Sequence, residues 1–141
     1  MKVIVENFIM IILLLMLSAE DIKYKSISVI KLAAAGVAAI IYKVVFGETD
    51  INSIFIGIIF LTFMLVISVA TKCIGIGDVA VLVIIAVVKG SIFAINTFLI
   101  AILFSFVVSA VLLILRKVTR KYSMPFIPFL GVGMLGVMIC A

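Results

Sequence analysis

The chain has 141 residues, of which 68% are hydrophobic and 12% are charged. Its mean hydropathy of +1.63 lies far outside the range of soluble globular proteins. The net charge of +5 is not organised into a basic, aromatic-interleaved surface, so we expect no nucleic-acid partner. The composition excludes a soluble protein and indicates a single transmembrane domain over residues 1–141.

Six apolar runs follow one another along the chain. A helix needs about 20 apolar residues to span the hydrocarbon core, so such runs predict membrane-spanning helices. They cover residues 3–19, 27–46, 53–73, 79–88, 92–115 and 126–141. The fourth run would be only about 15 Å long as a helix, which predicts that it is partly buried in protein or extends beyond its apolar residues. We therefore predict an all-α, polytopic membrane protein with about six transmembrane helices.

The first run has some features of a secretory signal, because Lys2 precedes it and the small residues Ser18 and Ala19 end it. Cleavage after Ala19 would place Leu17 where a small residue is needed, and the run is long for a signal core. We expect an uncleaved first helix.

Basic residues indicate the orientation, because Lys and Arg concentrate in short cytoplasmic loops. With the N-terminus outside, eight basic residues fall on the cytoplasmic side and three fall outside. The eight are Lys23, Lys25, Lys31, Lys72, Arg116, Lys117, Arg120 and Lys121, and the three are Lys2, Lys43 and Lys89. This orientation places Asp21 and Asp78 at cytoplasmic ends of helices, on the same membrane face. The basic loops on that face are expected to contact anionic lipid headgroups.

Acidic side chains beside apolar segments are candidates for function, because a charge in hydrocarbon costs about 2.5 to 3.5 kcal/mol even on insertion scales. Glu20, Asp21 and Asp78 are the three such acids on the cytoplasmic side. Two neighbouring carboxylates share a proton, so one can activate water while the other protonates a leaving amine. Asp21 and Asp78 are the candidate pair, and Glu20 is expected to be a solvated neighbour. Alternatively, Asp21 pairs with Lys23 or Lys25, or caps the second helix.

Glycines and prolines flank the candidate acids. Gly75 and Gly77 precede Asp78, where glycine would allow unusual backbone dihedrals and the close approach of a second chain; alternatively, they only end the third helix. Pro125 and Pro128 would kink or extend the chain before the last helix and leave backbone groups unpaired. An extended peptide could add to such exposed backbone. These four residues are candidate substrate-binding positions.

The sequence has no histidine, and its two cysteines do not form a paired-cysteine signature. We therefore expect neither a metal site nor a histidine-based triad. Any chemistry in this chain is expected to depend on its carboxylates.

These stretches together resemble the type IV prepilin peptidases, a family of polytopic GxGD aspartyl proteases that includes the archaeal preflagellin peptidases. The sequence GIGD at residues 75–78 corresponds to the GxGD motif. The stretch from Asp21 to Ser28 is similar in spacing to the family's first aspartate motif. The segment PFIPFL, which begins at Pro125, resembles the family's C-terminal proline motif.

Three positions depart from the family pattern. Ser28 and Val29 stand where proline and asparagine are usual, and Ala80 stands where lysine is frequent. No segment between Ala19 and Asp21 can hold the cytoplasmic insertion of the bifunctional, N-methylating members. The resemblance therefore implies a divergent, short, peptidase-only member.

The resemblance implies an endopeptidase of the cell membrane that removes the short basic leader of a prepilin-like protein at the cytoplasmic face. Asp21 and Asp78 would exchange base and acid roles as water attacks the scissile carbonyl, without a metal, a cofactor or a covalent intermediate. Two other functions are consistent with the residues alone. One is a small ion- or proton-coupled transporter that uses the same acids, and the other is a non-catalytic membrane subunit.

Overall fold

The computed structural model describes residues 1–25, 28–47, 51–71, 75–119 and 124–140. Within these residues the chain forms six α-helices and no strand. In chain order the helices are α1 (Lys2–Tyr24), α2 (Val29–Phe46), α3 (Ile51–Thr71), α4 (Ile76–Lys89), α5 (Ser91–Ile114) and α6 (Ile127–Cys140). The predicted all-α class is confirmed. Of the basic residues used to predict the orientation, Lys72, Arg120 and Lys121 lie outside the described residues.

Among the described helices, α1, α2 and α5 are long and apolar enough to cross a membrane. Ile54–Ala70 within α3 and the whole of α6 are shorter apolar helices. Apolar side chains also cover the outside of the bundle, since Val44, Phe63 and Phe106 are each more than half exposed. Helices that are apolar on all faces are typical of membrane spans. The fold is that of a polytopic membrane protein.

The helices differ from the apolar runs where charged residues lie. Helix α1 continues to Tyr24, so Asp21 lies within its last turn rather than after the helix. Helix α4 begins at Ile76 and ends at Lys89, and it therefore includes Asp78. Backbone hydrogen bonding continues through polar residues, whereas the first and fourth apolar runs stop beside Glu20, Asp78 and Lys89.

Helix α4 lies at the centre of the bundle and packs against α2, α3 and α5. With 14 residues it is about 21 Å long, which is shorter than the hydrocarbon core of about 30 Å. Its buried residues are Val79, Val81, Leu82, Ile84 and Ile85. The prediction that the fourth segment is partly buried in protein is confirmed.

Helix α6 packs closely against α5 at Gly133. A Cβ atom at this position would lie 2.5 Å from the carbonyl oxygen of Thr97 and 3.0 Å from the amide nitrogen of Ala101. Both are backbone atoms of α5, so neither can rotate aside as a side chain would. Small residues of this kind let membrane helices approach one another, and here they set the position of α6.

Four polar residues join α1, α2 and α4 at the end of the bundle opposite Asp21. Lys89 pairs with Glu6, with 3.2 Å between Nζ and Oε2, and it also donates to the side-chain oxygen of Asn7. Tyr42 donates its hydroxyl to Glu6. We call these four residues the Glu6 cluster. Lys89, which the basic residues assign to the outer side of the membrane, lies in the last turn of α4, and its side chain is only 9% exposed.

Replacing Gly133 with alanine is expected to destabilise the protein by about 1 to 3 kcal/mol, the usual cost of overpacking. The added Cβ would force α5 and α6 apart. Thermal unfolding in detergent micelles measures this loss as a lower Tm.

Gly131→Ala is the matched control, because it lies on the same helix and a Cβ there would have no atom within 4 Å. This variant is expected to match the wild type or to gain up to about 1 kcal/mol from better helix propensity. Equal losses in the two variants would contradict close packing at Gly133.

Candidate active site

Asp21 lies in the last turn of α1 and is only 8% exposed. Its Oδ2 atom accepts a hydrogen bond from the backbone N–H of Ile127, with 3.2 Å between the two atoms. Ile127 is the first residue of α6, and N–H groups in the first turn of a helix have no partner within that helix. The positive end of the α6 dipole also faces the carboxylate. The start of α6 therefore supplies the polar partner that a buried carboxylate requires.

Pro125 and Pro128 flank this donor. Pro128 is the second residue of α6, where proline is tolerated because its missing N–H has no helical partner to lose. The sequence analysis predicts that the proline motif leaves backbone groups unpaired for a peptide. The N–H of Ile127 instead binds Asp21. A role of the two prolines in substrate binding stays a prediction.

Asp78 lies in the first turn of α4 and is partly buried. Its Oδ2 atom accepts a hydrogen bond from the backbone N–H of Gly75, with 3.2 Å between the atoms. This is the half of a capping box in which the third residue of a helix reaches back to the N-cap residue. A negative charge at this position also interacts favourably with the helix dipole. The first turn of α4 therefore holds the Asp78 carboxylate.

Gly75 has a steric role rather than a conformational one. Its dihedrals, φ −66° and ψ 143°, are accessible to any L-residue, which corrects the expectation of unusual dihedrals at this position. A Cβ atom there would lie 3.1 Å from Oδ2 of Asp78. Gly75 thus leaves room for the carboxylate beside its own N–H. Gly77 lies within α4, and its proposed contact with substrate stays a prediction.

The structure brings Asp21 and Asp78 to the same end of the bundle. They lie close enough for the negative charge of Asp21 to act on Asp78. Two carboxylates that lie within a few Å of each other cannot both ionise cheaply, so such a pair favours one shared proton. An ionised carboxylate beside a protonated one provides both a base and an acid.

Glu20 forms an ion pair with Lys31 of α2 instead of joining the two aspartates. The Lys31 side chain is more than half exposed and that of Glu20 is 19% exposed, so solvent weakens the attraction between them. The N-cap position of α2 belongs to Ser28, which argues against Asp21 as the cap of that helix. Ser28 has φ −64°, close to the angle that proline imposes, so serine keeps the backbone angle expected for the family's proline.

Comparison with known protein families places the chain beside the leader peptidases. The model of the type IV leader peptidase family matches residues 8–115, about three quarters of the chain. The chain belongs to this family. The matched residues of the chain include Asp21, Asp78 and the GIGD motif, and the match ends before α6. No curated protein and no solved structure matches the chain significantly.

Family membership confirms the resemblance found in the sequence and indicates a leader-peptidase-like protease. It gives no support to a transporter or to a non-catalytic subunit.

Sequence reasoning did not identify the N–H of Ile127 as a partner of Asp21, because that contact depends on how α6 docks. It also missed the Glu6 cluster, although Glu6 and Asn7 visibly interrupt the first apolar run. Ionisable residues inside membrane segments usually pair with one another, and that rule would have pointed to a partner.

Asp21→Ala is expected to destabilise the fold by about 1 to 3 kcal/mol, because the N–H of Ile127 would lose its acceptor inside the bundle. Asp21→Asn is the matched control, since its amide oxygen can still accept the hydrogen bond. Thermal unfolding in detergent should therefore give a clearly lower Tm for alanine than for asparagine. Identical Tm values for the two variants would contradict a stabilising role for this bond.

Proposed function

We propose that this protein is a membrane-embedded aspartic endopeptidase that removes the short basic leader of a prepilin-like protein at the cytoplasmic face of the cell membrane. The observation that carries the proposal is the position of Asp21 and Asp78 at one end of the bundle, each bound to a backbone N–H at the start of a helix. Membership of the type IV leader peptidase family supports the reaction class. The proposed catalysis uses the two aspartates alone, with no metal or cofactor.

In the proposed reaction one aspartate is ionised and the other is protonated. The ionised carboxylate takes a proton from water while the water oxygen bonds to the scissile carbonyl carbon. The protonated carboxyl donates to the carbonyl oxygen of the resulting tetrahedral species. As the C–N bond breaks, one carboxyl of the dyad gives its proton to the leaving amine nitrogen, and a hydroxyl of the tetrahedral species returns a proton to the dyad as the new carbonyl forms. The new carboxylic acid then loses its own proton to solvent. The products are the leader's carboxylate and the new amino terminus, and the two aspartates again share one proton.

The two backbone donors restrict the orientation of the carboxylates. A carboxylate with one oxygen bound to an N–H group rotates less, and positioned acids and bases contribute about 10²- to 10⁴-fold to rate. The donor to Asp21 is the N–H of Ile127, so its orientation requires α6 to be docked against α1. The donor to Asp78 is the N–H of Gly75, at the start of the same helix. Residues 106 positions apart in sequence therefore belong to one proposed site.

The proposed cytoplasmic orientation is supported by the basic residues at the aspartate end of the bundle. Lys23 and Lys25 follow Asp21 at the end of α1, and Arg116 and Lys117 follow α5, which returns to the same end after α4. Basic residues of short loops favour the cytoplasmic side. A substrate's junction between leader and membrane helix would reach the dyad from that side.

We also propose that this basic end contacts anionic lipid headgroups. Helix α5 ends in a Schellman turn, in which the N–H groups of Arg116 and Lys117 bond to the carbonyls of Leu113 and Leu112 at 3.0 and 3.1 Å. Arg116 adopts a left-handed conformation with φ 54°. Both basic side chains are exposed, and each basic residue near an anionic surface contributes about 1 kcal/mol of attraction.

The first prediction of the proposal concerns leader cleavage. Asp21→Asn and Asp78→Asn should each lower cleavage of a tagged prepilin by at least about 10²-fold, because each removes one member of the acid–base pair. Glu20→Gln is the matched control, since Glu20 adjoins Asp21 but pairs with Lys31, and it should retain wild-type cleavage. The measurement is the fraction of processed prepilin on co-expression, with membrane insertion of each variant checked. Full cleavage by an inserted asparagine variant would refute the dyad.

The second prediction concerns lipid. Wild-type cleavage should be faster in nanodiscs that contain phosphatidylglycerol than in pure phosphatidylcholine. Reversing the charges of Arg116 and Lys117 to glutamate should abolish that difference, because like charges repel the anionic surface. If the double variant retains the wild-type ratio of rates between the two lipids, these residues do not bind headgroups.

A further inference from the structure

The Glu6 cluster joins the same two helices that carry the aspartates. Helix α1 carries Glu6 near one end and Asp21 at the other, and α4 carries Lys89 at one end and Asp78 at the other. The two helices run in opposite directions, so both aspartates lie at one end and the ion pair forms at the opposite end. A change in the position of one helix along the other would therefore alter both ends.

The polar residues are farther apart on α1 than on α4, and the Lys89 side chain spans the difference. Glu6 and Asp21 are 15 residues apart and lie about 22.5 Å apart along α1, whereas Asp78 and Lys89 are 11 residues apart and lie about 16.5 Å apart along α4. The difference of about 6 Å requires a long side chain. Lys89 provides this reach, and its ammonium group contacts both Glu6 and Asn7 on α1.

Apolar packing between α1 and α4 is interrupted beside the cluster. A cavity of about 210 Å³ lies between α1, α2 and α4, and Glu6 and Tyr42 form part of its wall. Alanines of α2 and apolar side chains of α1 and α4 line the rest of the cavity. Helix α1 packs mainly against α6. The polar cluster is therefore a principal direct connection between α1 and α4 at this end.

The cluster also has a specific geometry. The carboxylate of Glu6 receives both the Lys89 ammonium and the Tyr42 hydroxyl, and Lys89 in turn reaches Asn7. The ionic side chains are only 9% and 16% exposed. Removing one partner of a buried pair leaves a charge without compensation, whereas apolar contacts are not directional and tolerate small displacements. One relative position of α1 and α4 satisfies these groups together.

We propose that Glu6 and Lys89 are positioning residues, which hold α4 at one position along α1 and thereby set the separation of Asp21 and Asp78. The catalytic consequence rests on the proposed function, whereas the geometric consequence does not. The two consequences are therefore tested by separate measurements.

The geometric test measures a distance across the aspartate end. Exposed Ile22 on α1 and Ile76 on α4 are replaced by cysteine and spin-labelled, with Cys73 and Cys140 changed to serine. Pulsed electron paramagnetic resonance in nanodiscs then measures the distance between the two labels in the protein with the unaltered cluster and in the variants Lys89→Met and Glu6→Gln. Each variant is expected to broaden the distance distribution or to shift it by at least about 1.5 Å, the helical rise of one residue. Lys89→Arg keeps the charge and length and should preserve the distribution.

The catalytic test uses the same substitutions in the otherwise unaltered chain. Lys89→Met should lower kcat by about 10- to 100-fold, as expected for misplacement by about 1 Å, while KM changes much less and Lys89→Arg restores the rate. A purely structural role would lower Tm and yield but leave the kcat of the folded fraction unchanged. Tyr42→Phe keeps the aromatic ring and should lower kcat by less than Lys89→Met does. It provides the test of catalysis if Lys89→Met does not fold.

Wild-type distance distributions in both Lys89→Met and Glu6→Gln would overturn the proposal, and so would a wild-type distribution in Glu6→Gln alone if Lys89→Met does not fold. If Asp21→Asn or Asp78→Asn still cleaves prepilin, the proposed function fails, and the distance measurement still decides whether the cluster positions the helices.

Discussion

The hydrogen bond from the backbone of Ile127 to the carboxylate of Asp21 connects the first and last helices inside a bundle held together mainly by apolar contacts. A buried carboxylate requires a polar partner, and the first N–H groups of a helix require an acceptor. The N–H of Ile127 is the donor for the carboxylate, and the carboxylate is the acceptor for the N–H. Because apolar contacts have little directionality, this bond defines where α6 begins relative to Asp21.

The same principle applies at two further places in the bundle. Asp78 is bound by the N–H of Gly75 at the start of α4, and Lys89 at the other end of that helix is bound by Glu6 and Asn7. Helix α4 is short, and every one of its residues except Ile76 is buried or partly buried. The Lys89 contacts join one end of this central helix to α1, whereas the Gly75 contact lies within the cap of α4 and orients the Asp78 carboxylate. Its position in turn determines how Asp78 faces Asp21.

Much of the fold and part of the site could be predicted before the structure was known. Apolar runs predict the helices, because hydrophobicity over about 20 residues depends only on local sequence. The shared end of Asp21 and Asp78 follows from the alternation of crossings. Helix ends were less predictable, because α1 continues past Asp21 to Tyr24. The sequence suggested that Gly75 adopts unusual backbone angles, but its angles are ordinary. Its lack of a side chain instead leaves space for the carboxylate of Asp78.

The sequence by itself determined the number of helices, their apolar character, the family and the acids that share one end of the bundle. These properties depend on residue types and on their order along the chain. Only the tertiary structure decided which partner each charged group has: Ile127 for Asp21, Lys31 for Glu20 and Lys89 for Glu6. The physical reason is that a hydrogen bond or an ion pair requires two groups within about 3 to 4 Å, and the packing of the helices determines which groups come that close.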